Sequence, residues 1–119
     1  MFPYNEYLQL AKQWATENDE AHMRCAVSRA YYACFHFAKE FAEKKGEIFK
    51  GTGFDHDIVI AFLGNNPDGD ISVLSSTQIR LKKDRIKSDY YKSIQNIKSI
   101  TEKAILNAEN IFSVLKNKI

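Results

Sequence analysis

Proline and glycine are scarce in this chain, with two prolines and five glycines in 119 residues. So few breakers leave room for long regular elements and argue against a loop-rich architecture. Cysteine is too sparse for a disulfide scaffold: Cys25 and Cys34 stand alone and show no C-x-x-C spacing. Nine residues of helix would hold them roughly 13 Å apart, too far for a bond. Both are expected as reduced core residues of a cytoplasmic protein. A long apolar run is also missing. The longest aliphatic stretch, Ile58 to Leu63, falls far short of the roughly 20 residues of a membrane span. Met1-Phe-Pro-Tyr-Asn-Glu lacks the basic and apolar segments of a secretory signal. Charge of one sign is absent too. With a net charge of +2, a nucleic-acid partner would need a local patch rather than a globally basic surface.

What the chain does have is helical periodicity, over a length that suits one domain, residues 1–119. Tyr7, Leu8, Ala11 and Trp14 give a first short amphipathic helix over Tyr4–Ala15. Thr16-Glu-Asn-Asp-Glu supplies cap residues and first-turn acids for a second, from about Asp19 to Lys45, ended by Gly46. Ile48 to Gly53 reads as a loop. Asp55 reads as the N-cap of a short helix, Asp57–Leu63, which Gly64 ends. Asn65-Asn-Pro-Asp-Gly-Asp is turn chemistry. A helix is expected over Ser72–Lys87. Ser93 is placed to cap a last one with Ile94, Ile97, Ile100, Ala104, Ala108, Ile111, Phe112 and Leu115 along one stripe. No strand, repeat or low-complexity tract stands out. The expected fold class is all-α, an up-and-down bundle of four to five helices.

Within the second helix, "SRAYYACFH" sets Arg29 and His36 seven residues apart in an aromatic, alanine-rich run. At 100° per residue an offset of seven returns to within about 20°, so the two share a face, roughly 10 Å apart along the axis. Tyr32 and Ala33 fall between them, with His22 and Glu40 beside them. The opposite arc (Met23, Val27, Ala30, Tyr31, Cys34, Phe35, Phe37, Ala38, Phe41) is apolar and suits a central helix. The polar stripe is either a solvated edge or a built site. Tyr32 and Ala33 on it suggest a surface on which something packs.

Arg29-Ala-Tyr-Tyr-Ala-Cys-Phe-His36 resembles the R-x(4–6)-H signature of HEPN domains, here with six intervening residues. Two further stretches match in order. "GFDHDIVIAFL" lies where such proteins often carry a histidine opening a short helix, and "LKKDRIKSDYY" resembles a family segment before the last helix, with Ser88 in place of alanine. The resemblance covers roughly residues 4 to 116. It implies a homodimer in which two motifs face a shared cleft. It also implies a metal-independent endoribonuclease of the toxin or phage-defence kind, with Arg29 and His36 catalytic and no cofactor or metal. RNA carries its own nucleophile, the 2′-hydroxyl. Cleavage therefore needs only a proton acceptor, a proton donor and a cation at the phosphate, which histidine and arginine supply. Catalytic relatives commonly place a polar residue directly after the arginine, where this chain has Ala30. That keeps open a second reading, a non-catalytic companion of a nucleotidyltransferase. The two readings are not exclusive, since a nucleotidyltransferase can also act as antitoxin to an active partner by modifying it, with Tyr32 or Tyr90 as acceptor.

The densest basic run is Arg80, Lys82, Lys83, Arg85 and Lys87 against Asp84, net +4 over eight residues. Arg80, Lys82, Lys83 and Tyr32 are candidate RNA contacts, although Lys82 and Lys83 also suit a solvated helix face. Arg85 and Asp89, four apart, are assigned a structural ion pair. His22 and Cys25 have nothing to complete a tetrahedral metal site. His56 between Asp55 and Asp57 could bind a metal or serve as a second titratable group, but an acidic first turn with a capping role is the preferred account. Gly51-Thr-Gly53 lacks the lysine of a phosphate loop. Tyr90 and Tyr91 either stack on bases or anchor the last helix.

Overall fold

Asp19 starts the helix around which the molecule is organised. Its extended backbone precedes the first turn, and its carboxylate accepts from the His22 N–H at 2.9 Å, filling one of the orphan donors of a helix start. The computed structural model describes residues 2–119. It contains α1 (Asn5–Ala15), α2 (Glu20–Lys44), α3 (Asp55–Gly64), the single turn α4 (Gly69–Ser72), α5 (Leu74–Tyr90) and α6 (Ile97–Lys116). No strand occurs among the described residues. The 25 residues of α2 span about 37 Å, which accounts for most of the 41 Å long dimension. Helices α1, α3, α5 and α6 all pack on α2.

The packing follows from residue size. Ala26, Ala30, Ala33, Ala38 and Ala42 of α2 are fully buried and let neighbouring helices approach closely. Val27, Tyr31, Cys34, Phe35 and Phe41 fill the space toward Leu63, Leu74, Leu81, Ile111 and Leu115. Burying each large aliphatic side chain contributes about 1.5–3 kcal/mol relative to exposure. Of the apolar stripe expected on α6, Ala104, Ala108, Ile111, Phe112 and Leu115 are buried, Ile97 and Ile100 are half-buried, and Ile94 lies before the helix.

Four expectations need correction. Ser93 does not cap α6: the chain runs irregularly to Asn96, whose left-handed backbone (φ 60) makes the turn into the helix, a conformation asparagine tolerates better than most residues. Asp55 is the first residue of α3, not its cap. Its buried carboxylate instead accepts from Lys39 Nζ at 3.2 Å and from the Gly51 N–H at 3.1 Å. The turn expected at 65–70 contains α4, capped by Asp68, which accepts from the Asp70 N–H at 2.9 Å. Lys118 pairs with Asp68 and Asp70 at 3.0 Å and fastens this turn to the end of α6. Finally, Cys25 is exposed. It lies beside Trp14, Ala21 and His22 in a shallow hollow where α1 ends and stops covering α2.

One arginine absent from the sequence reading holds the bundle together. Arg24 donates from Nη1 to the carbonyls of Ser88 (3.1 Å) and Tyr91 (2.5 Å), and from Nη2 to that of Lys92 (3.3 Å). Its Nε reaches Glu20 at 2.9 Å. A cation at the C-terminal carbonyls of α5 also complements that helix's dipole. It fixes the end of α5 against α2.

Candidate functional site

The stripe on α2 is a built cluster, and the element that packs on it is α1. Tyr4 stacks on His36 with centroids 4.3 Å apart and planes 11° from parallel. The Arg29 guanidinium lies over Tyr7 at 5.0 Å and over Tyr32 at 5.2 Å. Ala33, between the two, is fully buried. Part of the surface expected to receive another molecule is thus covered by the chain's own first helix. Arg29 and His36 remain half-buried. Such cation–ring contacts contribute about 0.5–2 kcal/mol each, enough to hold the guanidinium to one side of the imidazole.

Helix α5 brings a second arginine. Its residues fall into two stripes at helical spacing. Leu81, Lys82, Arg85 and Ser88 turn toward α2 and α3, whereas Arg80, Lys83, Asp84 and Lys87 turn toward α6. Arg85 makes the expected ion pair with Asp89 at 3.6 Å, and Asp89 also accepts from the Ser28 hydroxyl at 3.5 Å. The same guanidinium lies over Tyr31 at 5.4 Å and Tyr32 at 5.6 Å, so a residue assigned to structure alone also borders the cluster. Tyr32 is the hub, within reach of both guanidiniums. Lys82 pairs with Asp57 at 3.3 Å on the α3 side. Arg80 and Lys83 are not brought to this place. With Lys87 and Lys103 they line a groove of about 440 Å³ between α5 and α6, around Asp84.

The sequence reading missed the main role of His56. From the first turn of α3 its ring stacks on Phe35 at 4.1 Å, and the other face of the cluster brings His36 edge-on to Phe35 at 5.0 Å. The buried Tyr31 hydroxyl hydrogen-bonds His56 Nδ1. The side-chain amide of Gln78, on the inner side of α5, is fully buried with no hydrogen bond on either Oε1 or Nε2. The signal was present as a histidine at the start of a short apolar helix, but its acidic neighbours drew attention to capping instead. His22, by contrast, is 14 residues and about 21 Å from His36 along the helix, where it pairs with Asp19 at 2.6 Å.

Electrostatics keep both central imidazoles neutral. Burial is the first cause that lowers His36 below its ordinary value of 6.5, with Lys39, His56 and Arg29 adding to it. Burial also lowers His56, together with Lys82 and Arg85, against the opposing pull of Asp55 and Asp57. Burial pushes the Tyr31 hydroxyl well above the usual phenol range, so it stays protonated. At Asp55 burial opposes ionisation, yet the hydrogen bond and charge of Lys39 outweigh it and hold the carboxyl below its ordinary range. The Cys34 thiol is pushed far up by burial, which makes it inert. No three His, Cys, Asp or Glu side chains gather into a metal-binding group among the described residues. No helix among them is long and apolar enough to cross a membrane. Chemically, the cluster offers two proton carriers and two fixed cations beside half-buried tyrosine rings.

Comparison with known proteins gives one result. The family model described as HEPN domain matches residues 5–118, nearly the whole chain. No curated protein matches, and no solved structure does.

Proposed function

Since this chain belongs to the HEPN domain family, we propose that it is a metal-independent endoribonuclease acting as a homodimer, with Arg29 and His36 as catalytic residues. The observation that supports this reading most is the joint placement of Arg29, Tyr32 and His36 on one half-buried face of α2, each held by an aromatic contact. His36, neutral near pH 7, takes the proton of a ribose 2′-hydroxyl as that oxygen attacks the adjacent phosphate. Arg29 offers forked donors to the charge that develops on the phosphate oxygens. Tyr32, within reach of both guanidiniums, is the candidate aromatic contact for RNA beside them. Ala30 is fully buried, so a polar side chain at that position would face the core and not the cleft. Exposed Phe2, packed edge-on to Tyr4 and against Tyr7, and exposed Phe54, two residues before His56, are candidates for contact with a second copy.

The test is cleavage of a panel of single-stranded and looped RNAs by the purified protein in EDTA. Products should end in a 2′,3′-cyclic phosphate or its hydrolysis product, and size-exclusion with light scattering should give a dimer. If wild type and His36→Ala both leave every RNA intact, the enzyme reading is lost. The companion reading takes its place in that event, with His36 as an interface residue. Independently of it, Tyr90, at the end of α5 and 74% exposed, is where a nucleotidyltransferase acting as antitoxin could modify an active enzyme. Co-purification with a nucleotidyltransferase encoded by an adjacent gene is the readout of the companion reading, and failure of every adjacent gene product to bind counts against it.

A further inference from the structure

The groove between α5 and α6 takes no part in the scheme above, and its charges are uncompensated. We propose that it is a second RNA-binding site, one per protomer, in which Arg80, Lys83, Lys87 and Lys103 hold backbone phosphates and Asp84 accepts a hydrogen bond from a ribose 2′-hydroxyl. The identity of the ligand rests on the endoribonuclease reading, whereas the groove itself does not overlap the cleaving face.

Helical spacing gathers the charges. Arg80, Lys83 and Lys87 stand at i, i+3 and i+7 of α5, so they share a stripe about 10.5 Å long. Lys103 lines the same groove from α6. All four are exposed, and Asp84 stands half-buried among them. Among the described residues none of the four pairs with a carboxylate, and Asp84 pairs with no cation. The lysines that fasten the fold behave differently: Lys12, Lys39, Lys82 and Lys118 each hold an acid at 2.9 to 3.3 Å. Four cations against one carboxyl leave three positive charges in surplus around a groove of about 440 Å³. A polyanion offsets such a surplus.

Three features favour a ribose–phosphate strand among polyanions. A lone carboxyl amid the cations works against an acidic peptide or a free phosphate. It suits a ligand that alternates phosphates with hydroxyl donors, and the 2′-hydroxyl is the group by which a site tells RNA from DNA. The groove also has an apolar wall in Ile100 and Leu106, and Leu106 is 66% exposed. The face of a sugar or base covers that surface, which a chain of phosphates alone cannot do. The third feature is placement. Lys82 and Arg85 occupy the neighbouring stripe of α5, toward the cluster, so α5 is a wall common to both places. A strand leaving the cleaving face has one helix width, about 10–12 Å, to cross before it reaches the groove. A dimer joined across the Arg29/His36 face leaves the groove of each protomer open.

Binding is best read in a His36→Ala background, which should leave the RNA whole, with a labelled single strand of about twelve nucleotides. Adding Lys87→Ala/Lys103→Ala should lower the slope of log affinity against log salt by about 1.4, at about 0.7 per contact. At about 0.1 M salt that is a loss of roughly 25-fold, relative to about 1 M. Adding Lys44→Ala/Lys116→Ala instead removes the same charge from exposed positions outside the groove and should change the slope far less. Asp84→Ala should tighten binding of the DNA strand of the same sequence and narrow the preference for RNA. In the cleaving enzyme the loss should fall on KM and grow with substrate length, because a dinucleotide cannot span α5. Circular dichroism would verify that each variant folds. An equal slope change from Lys44→Ala/Lys116→Ala, or displacement of the RNA by polyglutamate as readily as by more RNA, would overturn the proposal in favour of a general polyanion surface. An RNA preference untouched by Asp84→Ala would remove the hydroxyl contact and the assignment with it. If wild type cuts and Lys87→Ala/Lys103→Ala keeps its KM and salt slope, the groove proposal fails and the endoribonuclease reading stands. If wild type cuts nothing while the groove variants still lose RNA affinity, the endoribonuclease reading fails and the groove stands.

Discussion

Two faces of the bundle concentrate positive charge, and they are built on different principles. In the cluster between α1, α2, α3 and α5, the guanidiniums of Arg29 and Arg85 are laid over tyrosine rings beside two neutral imidazoles. In the α5–α6 groove, Arg80, Lys83, Lys87 and Lys103 surround one carboxyl, Asp84, which burial raises while Lys87, Lys103 and Arg80 pull it back. One eight-residue run of α5 feeds both faces, because alternate helical stripes of it look in different directions. Charge density along the chain therefore marks a helix without marking a surface. Fixed, ring-bound cations suit a reacting phosphate, and flexible lysines around a lone acid suit a bound polyanion or none.

The largest expected difference between the faces is catalytic. His36→Ala and Arg29→Ala should each lose on the order of 10²–10⁴ in single-turnover RNA cleavage. Arg29→Lys should recover little, since a point charge does not reproduce the fork. Arg80→Ala and Lys83→Ala should leave the single-turnover rate at saturating enzyme unchanged. Equal losses on both faces would erase the distinction.

Next in size is the fastening that sets the two faces apart. Arg24→Ala removes three bonds to carbonyls around the end of α5. Hydrogen bonds to a charged group contribute about 1.5–3 kcal/mol, and a loss in that range should appear as a lower urea midpoint. Wild-type stability in this variant would mean that helix packing alone places α5.

A smaller effect sharpens the groove's role. If Arg80 and Lys83 touch RNA phosphates, removing both should reduce the slope of log affinity against log salt by about 1.4, at about 0.7 per contact on single strands. An unchanged slope would assign these side chains to a solvated surface.

The smallest effect is on stability. Folding holds His36 and His56 below their ordinary value of 6.5, so below that pH the unfolded chain binds protons that the folded chain does not. Stability present at neutral pH is then lost as pH falls from about 6.5 through the lowered folded values. The melting temperature should drop by a few degrees between pH 7.5 and 5, and less in His36→Phe/His56→Phe. For cleavage, one of the two His36 imidazoles in the shared cleft must be neutral and the other charged, so kcat/KM should peak on the acid side of pH 6.5. Variants of the groove should share the wild-type profile.

Local periodicity made the main helices legible, as did the shared face of Arg29 and His36, because both are set by spacing within one element. The family, too, was readable from three stretches in order, and the match over residues 5–118 agrees with it. What escaped the sequence depends on contacts between elements. His56 joins His36 only because α3 packs on α2 at Phe35. Arg24 looks like an ordinary surface arginine until α5 ends beside it. Asp55 has the residue type and position of a cap, and only the folded path of residues 51–55 turns its carboxylate toward Lys39. The cap at Ser93 failed because the left-handed turn at Asn96 takes over the entry to α6.

The Asp55 contact has a consequence for how freely the chain can vary in length. Residues 46–54 form the one long connection on this side, and Gly46 and Gly51 take positive φ with open space around their Cα atoms. The buried carboxylate grips the far end of that connection, at Gly51 and Lys39, so α3 is anchored by its own first residue and not by the stretch before it. Glu47 bonds back to Ala42 and Phe49 packs on the core under Lys39. Residues inserted at exposed Ile48, between those contacts, would therefore cost mainly loop-closure entropy, about 0.6 kcal/mol per doubling of length. The chain around Ile48 is thus free to be lengthened while α3 stays in register, a place where a graft could be added without rebuilding the bundle.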